Sequence, residues 1–112
     1  MTVEGQNDID GVLNTGRVVA RVRDAMLDAV EPGMTTAELD KLGEQLLEQY
    51  GARSAPRVTY NFPGATCISV NEEAAHGIPG QRVIQAGDVV NVDVSAELDG
   101  YFADTGGTTV VP

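Results

Sequence analysis

Hydrophobic residues in the first part of the chain recur at the three- and four-residue spacing of an amphipathic helix. This spacing predicts a first helix over about Asp8–Val30, which Pro32-Gly33 ends. Its expected buried stripe consists of Val18, Val22, Ala25 and Ala29, broadened by Val19, Met26 and Val30. Gly11 and Gly16 each weaken a helix by about 1 kcal/mol relative to alanine, so we expect the helix to begin late or to fray at these positions.

A second helix is predicted directly after the first. Thr35 and Glu38 have the spacing of a capping box, in which each side chain satisfies a backbone N–H of the other residue. Gly51 provides the left-handed residue that commonly follows a helix. The expected buried stripe of this helix consists of Leu39, Leu42, Leu46 and Tyr50.

After Gly51 the helical spacing gives way to short β segments separated by glycine and proline. We predict a strand at Thr66–Val70, a loop at 71–80 that contains the only histidine, and a long hairpin that begins near Asp88. Two helices followed by antiparallel strands favour an α+β fold, with the helices packed on one face of the sheet. By its length the chain is expected to form a single domain over residues 1–112.

Asp99-Gly100 is a strong signal for a two-residue hairpin turn, because this pair accepts positive φ angles. The register that follows pairs Leu98 with Tyr101, Ser95 with Asp104, and Asp93 with Gly106. Alternation then assigns one face to the core and the other to polar residues, with Asp93 and Asp104 as diagonal neighbours on the polar face. Two nearby carboxylates repel each other unless a cation or a proton lies between them. The pattern alone is therefore consistent with a metal-bridging pair, although two aspartates on a polar strand face are more often simply solvated.

Composition narrows the functional classes. Seventeen acidic residues against seven basic ones give a net charge of −10, which argues against nucleic-acid and anionic-membrane partners. The single cysteine, Cys67, excludes an internal disulfide framework and suits a reducing compartment. The sequence has no apolar run of about 18 residues, and its first residues lack the features of a signal peptide, so we expect a cytoplasmic protein.

Four motifs occur in a specific order: SVNE, HGIP, NVDV and DGYFADT. With this order and spacing, the segment Thr59–Val111 resembles the N-terminal half of a type I methionine aminopeptidase, and a weaker likeness covers Pro32–Asp40. The resemblance implies half of the pita-bread fold. It also implies an aminopeptidase, a hydrolase that removes the initiator methionine from new proteins by means of metal-activated water.

The resemblance implies roles for individual residues. Asp93 and Asp104 correspond to two carboxylate ligands of a centre that binds two divalent metal ions, for which cobalt, manganese, iron and zinc are all suitable. His76 corresponds to a loop histidine that hydrogen-bonds the substrate amide, whereas a lone histidine in such a loop more often braces the loop.

Other positions correspond to substrate and cation contacts. Tyr60, Phe62 and Cys67 match positions that line the pocket for the methionine side chain, although the same residue types also suit ordinary core packing. Asn71 matches a position whose backbone oxygen contributes to a monovalent-cation site, whereas asparagine after a strand is also a common turn former.

The chain departs from the family in length. The remaining metal ligands of the family, one histidine and two glutamates, and its second catalytic histidine lie in a C-terminal half without counterpart in these 112 residues. We therefore expect a monomer with little or no peptidase activity, completed by a second copy in a homodimer or by a complementary C-terminal half. The alternative is a non-catalytic half pita-bread module that binds peptides or proteins.

Overall fold

The structure is a computed structural model that describes residues 5–61, 63–71 and 77–112. The elements in chain order are α1 (Gln6–Ala29), α2 (Thr36–Gln49), β1 (Arg53–Ser54), α3 (Ala55–Tyr60), β2 (Cys67–Val70), β3 (Val89–Leu98) and β4 (Tyr101–Val110). All strand pairs are antiparallel, and β3 is the central strand. Strand β4 pairs with the whole length of β3, while β1 and β2 pair with separate parts of it. The predicted α+β arrangement of helices on an antiparallel sheet with a C-terminal hairpin is confirmed.

Helix α1 packs against β3 and β4. It begins at Gln6, so the late start expected from Gly11 and Gly16 is wrong. The reason at Gly11 is a tertiary contact, because the ring of Tyr101 lies where a Cβ of residue 11 would be. The Tyr101 hydroxyl also donates a hydrogen bond to Asp8 Oδ1 at 2.7 Å, which ties the first turns of α1 to the hairpin. Packing on the sheet therefore offsets the low helix propensity of glycine.

The predicted capping box of α2 is confirmed. Thr35 Oγ1 accepts a hydrogen bond from the Glu38 backbone N–H at 3.1 Å, and Glu38 Oε1 accepts one from the Thr35 backbone N–H at 3.1 Å. The predicted buried stripe is partly wrong, since Tyr50 is 40% exposed and Leu42 and Leu46 are only partly buried. The fully buried positions of α2 are Thr36, Leu39, Asp40, Gly43 and Leu47.

The buried face of α2 is set by its neighbours. A Cβ at Gly43 would lie 2.6 Å from Met26 Sδ, so the glycine lets α2 approach α1 closely. Asp40, on the same side, faces the segment before β2. These two contacts rotate the helix away from the face that leucine spacing alone predicts.

Strand β1 is one of the short β segments predicted after Gly51, but helix α3 contradicts the prediction of β segments and loops alone in this region. Ser54 caps α3 by accepting a hydrogen bond from the Arg57 backbone N–H at 3.4 Å, and its hydroxyl donates to the Ala65 carbonyl at 2.7 Å. Asn61, with a φ of 53°, ends the helix in the left-handed region. The helix has six residues, fewer than two turns, and is too short for a periodic pattern to reveal.

The predicted register of the hairpin is confirmed, with Leu98 opposite Tyr101 and Asp99-Gly100 in the turn. Both turn residues have positive φ angles, as the turn requires. The core face of β3 is almost completely buried, and its residues are Val90, Val92, Val94 and Ala96. They pack with aliphatic residues of α1 and α2 in one core. None of the helices in the described ranges is long and apolar enough to cross a lipid bilayer.

Candidate functional site

The two aspartates singled out from the sequence lie on the face of the hairpin that points away from α1. Asp93 is opposite Gly106, and Asp104 is opposite Ser95, which is two residues from Asp93 on the same strand. Side chains of paired residues project to the same face, so Asp93 and Asp104 are diagonal neighbours on one face. Both side chains are exposed. The hairpin therefore presents two carboxylates to solvent from adjoining strands.

Asp93 occupies the middle of a row that crosses three strands. Cys67 of β2 is its partner on one side and Gly106 of β4 its partner on the other. The carboxylate leans over β4, where Asp93 Oδ1 occupies the space that a Cβ of residue 106 would need. The other carboxylate oxygen, Oδ2, accepts a hydrogen bond from Asn91 Nδ2 at 3.3 Å. A row of small or polar residues thus leaves Asp93 accessible and directed towards the strand that carries Asp104.

The donor set of this face fits part of a metal centre. Carboxylate oxygens suit hard and borderline divalent cations, so Asp93 and Asp104 are the residues of this face that would hold such an ion. Within residues 5–61, 63–71 and 77–112, no group of three or more histidine, cysteine, aspartate or glutamate side chains is arranged to hold a metal ion. The described residues therefore offer two ligands rather than a closed coordination shell.

Cys67 lies beside Asp93 and is half-buried. Burial raises the pKa of the Cys67 thiol, and the negative charges of Asp93 and Asp40 raise the pKa further. Both effects favour the neutral thiol, which is a weak nucleophile and a soft contact surface. Gly77 closes over it, since a Cβ on Gly77 would lie 2.9 Å from Cys67 Cβ and the Gly77 carbonyl accepts a hydrogen bond from Ile68 N–H at 2.8 Å.

The predictions for the remaining pocket residues cannot be compared with side-chain positions. Phe62 and His76 lie outside the described residues, and for Tyr60 the structure describes only its place as the last residue of α3. Gly77, which follows His76 in the sequence, abuts Cys67, so the described end of this loop returns to the strand next to Asp93.

Asn71 has the geometry of a turn former. Its φ is 57°, its side-chain oxygen accepts a hydrogen bond from the Val89 N–H at 2.8 Å, and its side-chain nitrogen donates to Asp88 Oδ1 at 3.0 Å. Hydrogen bonds from the Gln85 backbone N–H and from Asn71 lower the pKa of Asp88, with a smaller contribution from the charge of Arg82. Asn71 thereby fixes the end of β2 against the start of β3. The role of its backbone oxygen in cation binding stays a prediction.

A groove of about 500 Å³ adjoins Asp104 on the open side of the sheet. Its lining residues are Ala55, Pro56, Thr59, Ser95, Phe102, Ala103 and Asp104. Sequence reasoning missed this groove because it missed α3, which forms one wall. Phe102 was within reach, since it lies two residues before Asp104 and alternation places both on the same face.

The buried carboxylate of Asp40, which the sequence did not reveal, holds the segment that precedes Cys67 in place. Asp40 is only 6% exposed and accepts hydrogen bonds from the backbone N–H groups of Ala65 and Thr66, at 3.1 and 2.7 Å, and from the Thr66 hydroxyl at 2.6 Å. These bonds fix the segment that leads directly into Cys67. The signal was absent because Asp40 reads as an ordinary polar residue within an amphipathic helix.

Comparisons with known proteins agree with this arrangement. The signature of the metallopeptidase family M24 matches residues 10–112. A methionine aminopeptidase of Staphylococcus epidermidis is 54% identical over 111 residues, which are 99% of this chain and 44% of that protein. Methionine aminopeptidase 2 of Bacillus subtilis is 49% identical over 107 residues, covering 95% of this chain and 43% of its own length.

The solved structures show the same relation. A crystal structure of methionine aminopeptidase from Rickettsia prowazekii superposes with a TM-score of 0.89 at 32% identity, covering 98% of this chain and 44% of that one. The predicted half of a pita-bread fold and the resemblance to the N-terminal half of methionine aminopeptidases are thereby confirmed. The chain spans less than half the length of these relatives.

Proposed function

Because the chain belongs to the metallopeptidase family M24, we propose that it supplies part of the active site of a metal-dependent methionine aminopeptidase. The observation that supports the proposal most directly is the exposure of Asp93 and Asp104 on one face of adjoining strands. The relatives of this chain are named methionine aminopeptidases, and the chain corresponds to about 44% of such a protein. The reaction is the removal of an N-terminal methionine from a peptide, and its expected place is the cytoplasm.

In the proposed site, Asp93 and Asp104 bind divalent cations through their carboxylate oxygens. The chemistry that such cations would supply is activation of a water molecule and polarisation of the scissile carbonyl. The contribution of the hairpin is to hold both anionic groups on a rigid support, so that little ordering is needed when a cation binds. Cobalt, manganese, iron and zinc all accept carboxylate ligands, and two ions are expected in a complete site.

We propose substrate or cation contacts for five further residues. His76 would donate a hydrogen bond to the substrate amide and stabilise charge that develops on it. Tyr60, Phe62 and Cys67 would contact the methionine side chain, since a thioether is favoured by soft and aromatic surfaces. The half-buried position of Cys67 beside Asp93 supports its place in this pocket. Asn71 is proposed to contribute a backbone oxygen to a monovalent-cation site.

A single copy of the chain is proposed to have little or no peptidase activity, because two carboxylates are fewer ligands than a two-metal centre uses. We propose that a second copy, related by a twofold axis, or a complementary C-terminal half completes the site. The free edge of strand β4 supports the proposal of a partner. Among the described residues β4 pairs only with β3, and it carries the exposed side chains of Phe102 and Val110. A ten-residue edge strand of this kind favours further pairing.

Calorimetric titration with Mn(II) and Co(II) tests the metal site. Asp93→Asn and Asp104→Asn should each weaken binding at least about tenfold, because each removes one anionic ligand. Asp28→Asn is the matched control, since it changes the net charge equally at an exposed position of α1. Equal affinity in the parent and all three variants would mean that both aspartates are solvated surface residues and not metal ligands.

Two further measurements test the partner and the reaction. Sedimentation should show a dimer, and a monomer with and without metal would exclude the homodimer. Adding the C-terminal part of the Staphylococcus epidermidis relative should allow release of methionine from a Met-Ala peptide, and His76→Ala should reduce that release. Peptide binding without any release in the completed protein would favour the non-catalytic binding module.

A further inference from the structure

Asn91 connects Asp93 to the neighbouring strand through a short chain of hydrogen bonds. Asn91 Nδ2 donates to Asp93 Oδ2 at 3.3 Å, and Asn91 Oδ1 accepts from the Thr108 hydroxyl at 3.0 Å. Asn91 and Thr108 are paired across β3 and β4, and Asp93 follows Asn91 on the same face of β3. A carboxylate oxygen accepts and an amide nitrogen donates, so the nitrogen of Asn91 faces Asp93, and its amide oxygen accepts the hydrogen bond from Thr108.

The two oxygens of Asp93 are consequently held in different ways. Oδ2 accepts the hydrogen bond from Asn91, while Oδ1 lies over Gly106, in space that a Cβ of residue 106 would occupy. A free strand-face aspartate would sample several χ1 rotamers. Here the donor on one side and the open space on the other favour the rotamer that leans over β4, the strand of Asp104.

We propose that Asn91, fixed by Thr108, is a positioning residue that orients the carboxylate of Asp93 towards β4. Its relevance for cation binding rests on the function proposed above, whereas the orientation itself does not require a metal. Hydrogen-bond partners behind a ligand commonly change metal affinity by about 10- to 100-fold when they are removed. Asn91 is not itself a ligand in this proposal, because its amide oxygen is engaged by Thr108.

The test compares Asn91→Ala and Thr108→Val with the parent protein, without metal first. Three-bond couplings of the Asp93 side chain, measured by NMR, report its χ1 rotamer. We expect one dominant rotamer in the parent and averaging among rotamers in both variants. Thr108→Val preserves the shape of the side chain and removes its hydroxyl. Thr109→Val is the control, since Thr109 lies on the opposite face of β4. Urea unfolding of each protein confirms that the fold is retained.

The second measurement is calorimetric titration of the same proteins with Mn(II). Asn91→Ala should lower the affinity about 10- to 100-fold, and Thr108→Val should lower it less but in the same direction. An unchanged Asp93 rotamer in Asn91→Ala and Thr108→Val overturns the proposal, as does an equal change in Thr109→Val. A parent that binds no Mn(II), with rotamers that change as expected, supports the positioning role and contradicts the proposed metal function. The two failures are therefore distinguishable.

Discussion

Alanine at Gly11 and at Gly16 should change the stability of the protein in opposite directions, although both residues lie inside α1. An alanine is worth about 1 kcal/mol over glycine within a helix. At Gly16 an added Cβ meets nothing within 4 Å, so the gain should be about 1 kcal/mol. At Gly11 the added Cβ collides with the Tyr101 ring.

The destabilisation expected from Gly11→Ala comes from the interactions that the Tyr101 ring loses when the added Cβ displaces it. Displacing the Tyr101 ring weakens its hydrogen bond to Asp8 and disturbs its packing on α1, and overpacking of this kind costs about 2 kcal/mol. Set against the helical gain of about 1 kcal/mol, Gly11→Ala should be destabilising by roughly 1 kcal/mol. The two variants should then differ by about 2 kcal/mol in the free energy of unfolding.

Urea unfolding, with the transition followed by circular dichroism, measures this difference. With a slope of about 1.5 kcal/mol per molar urea, the two midpoints should lie more than about 1 M apart. In a Tyr101→Ala background the ring is gone, so Gly11→Ala should become stabilising, as a double-mutant cycle would show. An equal gain from Gly11→Ala and Gly16→Ala in the parent would refute the packing of Tyr101 on α1.

Three more predictions concern the sheet and the segment before it. Gly106→Ala should weaken Mn(II) binding about tenfold with little change in stability, because its Cβ would displace the Asp93 carboxylate. Gly107→Ala should instead destabilise the protein by about 1–3 kcal/mol, because its Cβ would press on side chains of α1. Calorimetry measures the first effect and urea unfolding the second. The ion pair with Arg53 of β1 and the hydrogen bond from the Gly100 backbone N–H hold the pKa of Glu97 below its usual value of 4.5. Glu97 therefore stabilises the fold above pH 4.5, and this stabilisation is lost as the pH falls through the lowered pKa, so the acid-induced loss of stability should be smaller in Glu97→Gln. Asp40→Ala should destabilise the protein by about 3 kcal/mol, since it leaves buried donors of Ala65 and Thr66 without partners. An unchanged midpoint of thermal unfolding at neutral pH would contradict this prediction.

Local rules were sufficient for the hairpin and for the cap of α2. The turn at Asp99-Gly100 follows from the φ angles those residues accept, and once the turn is placed, the two-residue period of a strand assigns every side chain to a face. For this reason the common face of Asp93 and Asp104 could be predicted without any knowledge of the rest of the molecule. The capping box is likewise a contact among residues that are three apart.

The features that escaped prediction depend on residues far apart in the chain. The early start of α1 depends on Tyr101, and the buried face of α2 depends on the donors that Asp40 meets before β2. Each involves one glycine or one polar residue whose local preference points the other way, and only a partner brought close by folding reverses it.

The sequence by itself determined which residues carry the candidate chemistry and which face of the hairpin displays them. Only the tertiary structure decided how the Asp93 carboxylate is directed, because Cys67 lies beside it on β2, Asn91 donates a hydrogen bond to it, and Gly106, its predicted partner, leaves the space into which it leans. The physical reason is that backbone pairing sets the side from which a side chain projects, whereas its final direction is set by the atoms of neighbouring strands that fill or leave the space around it.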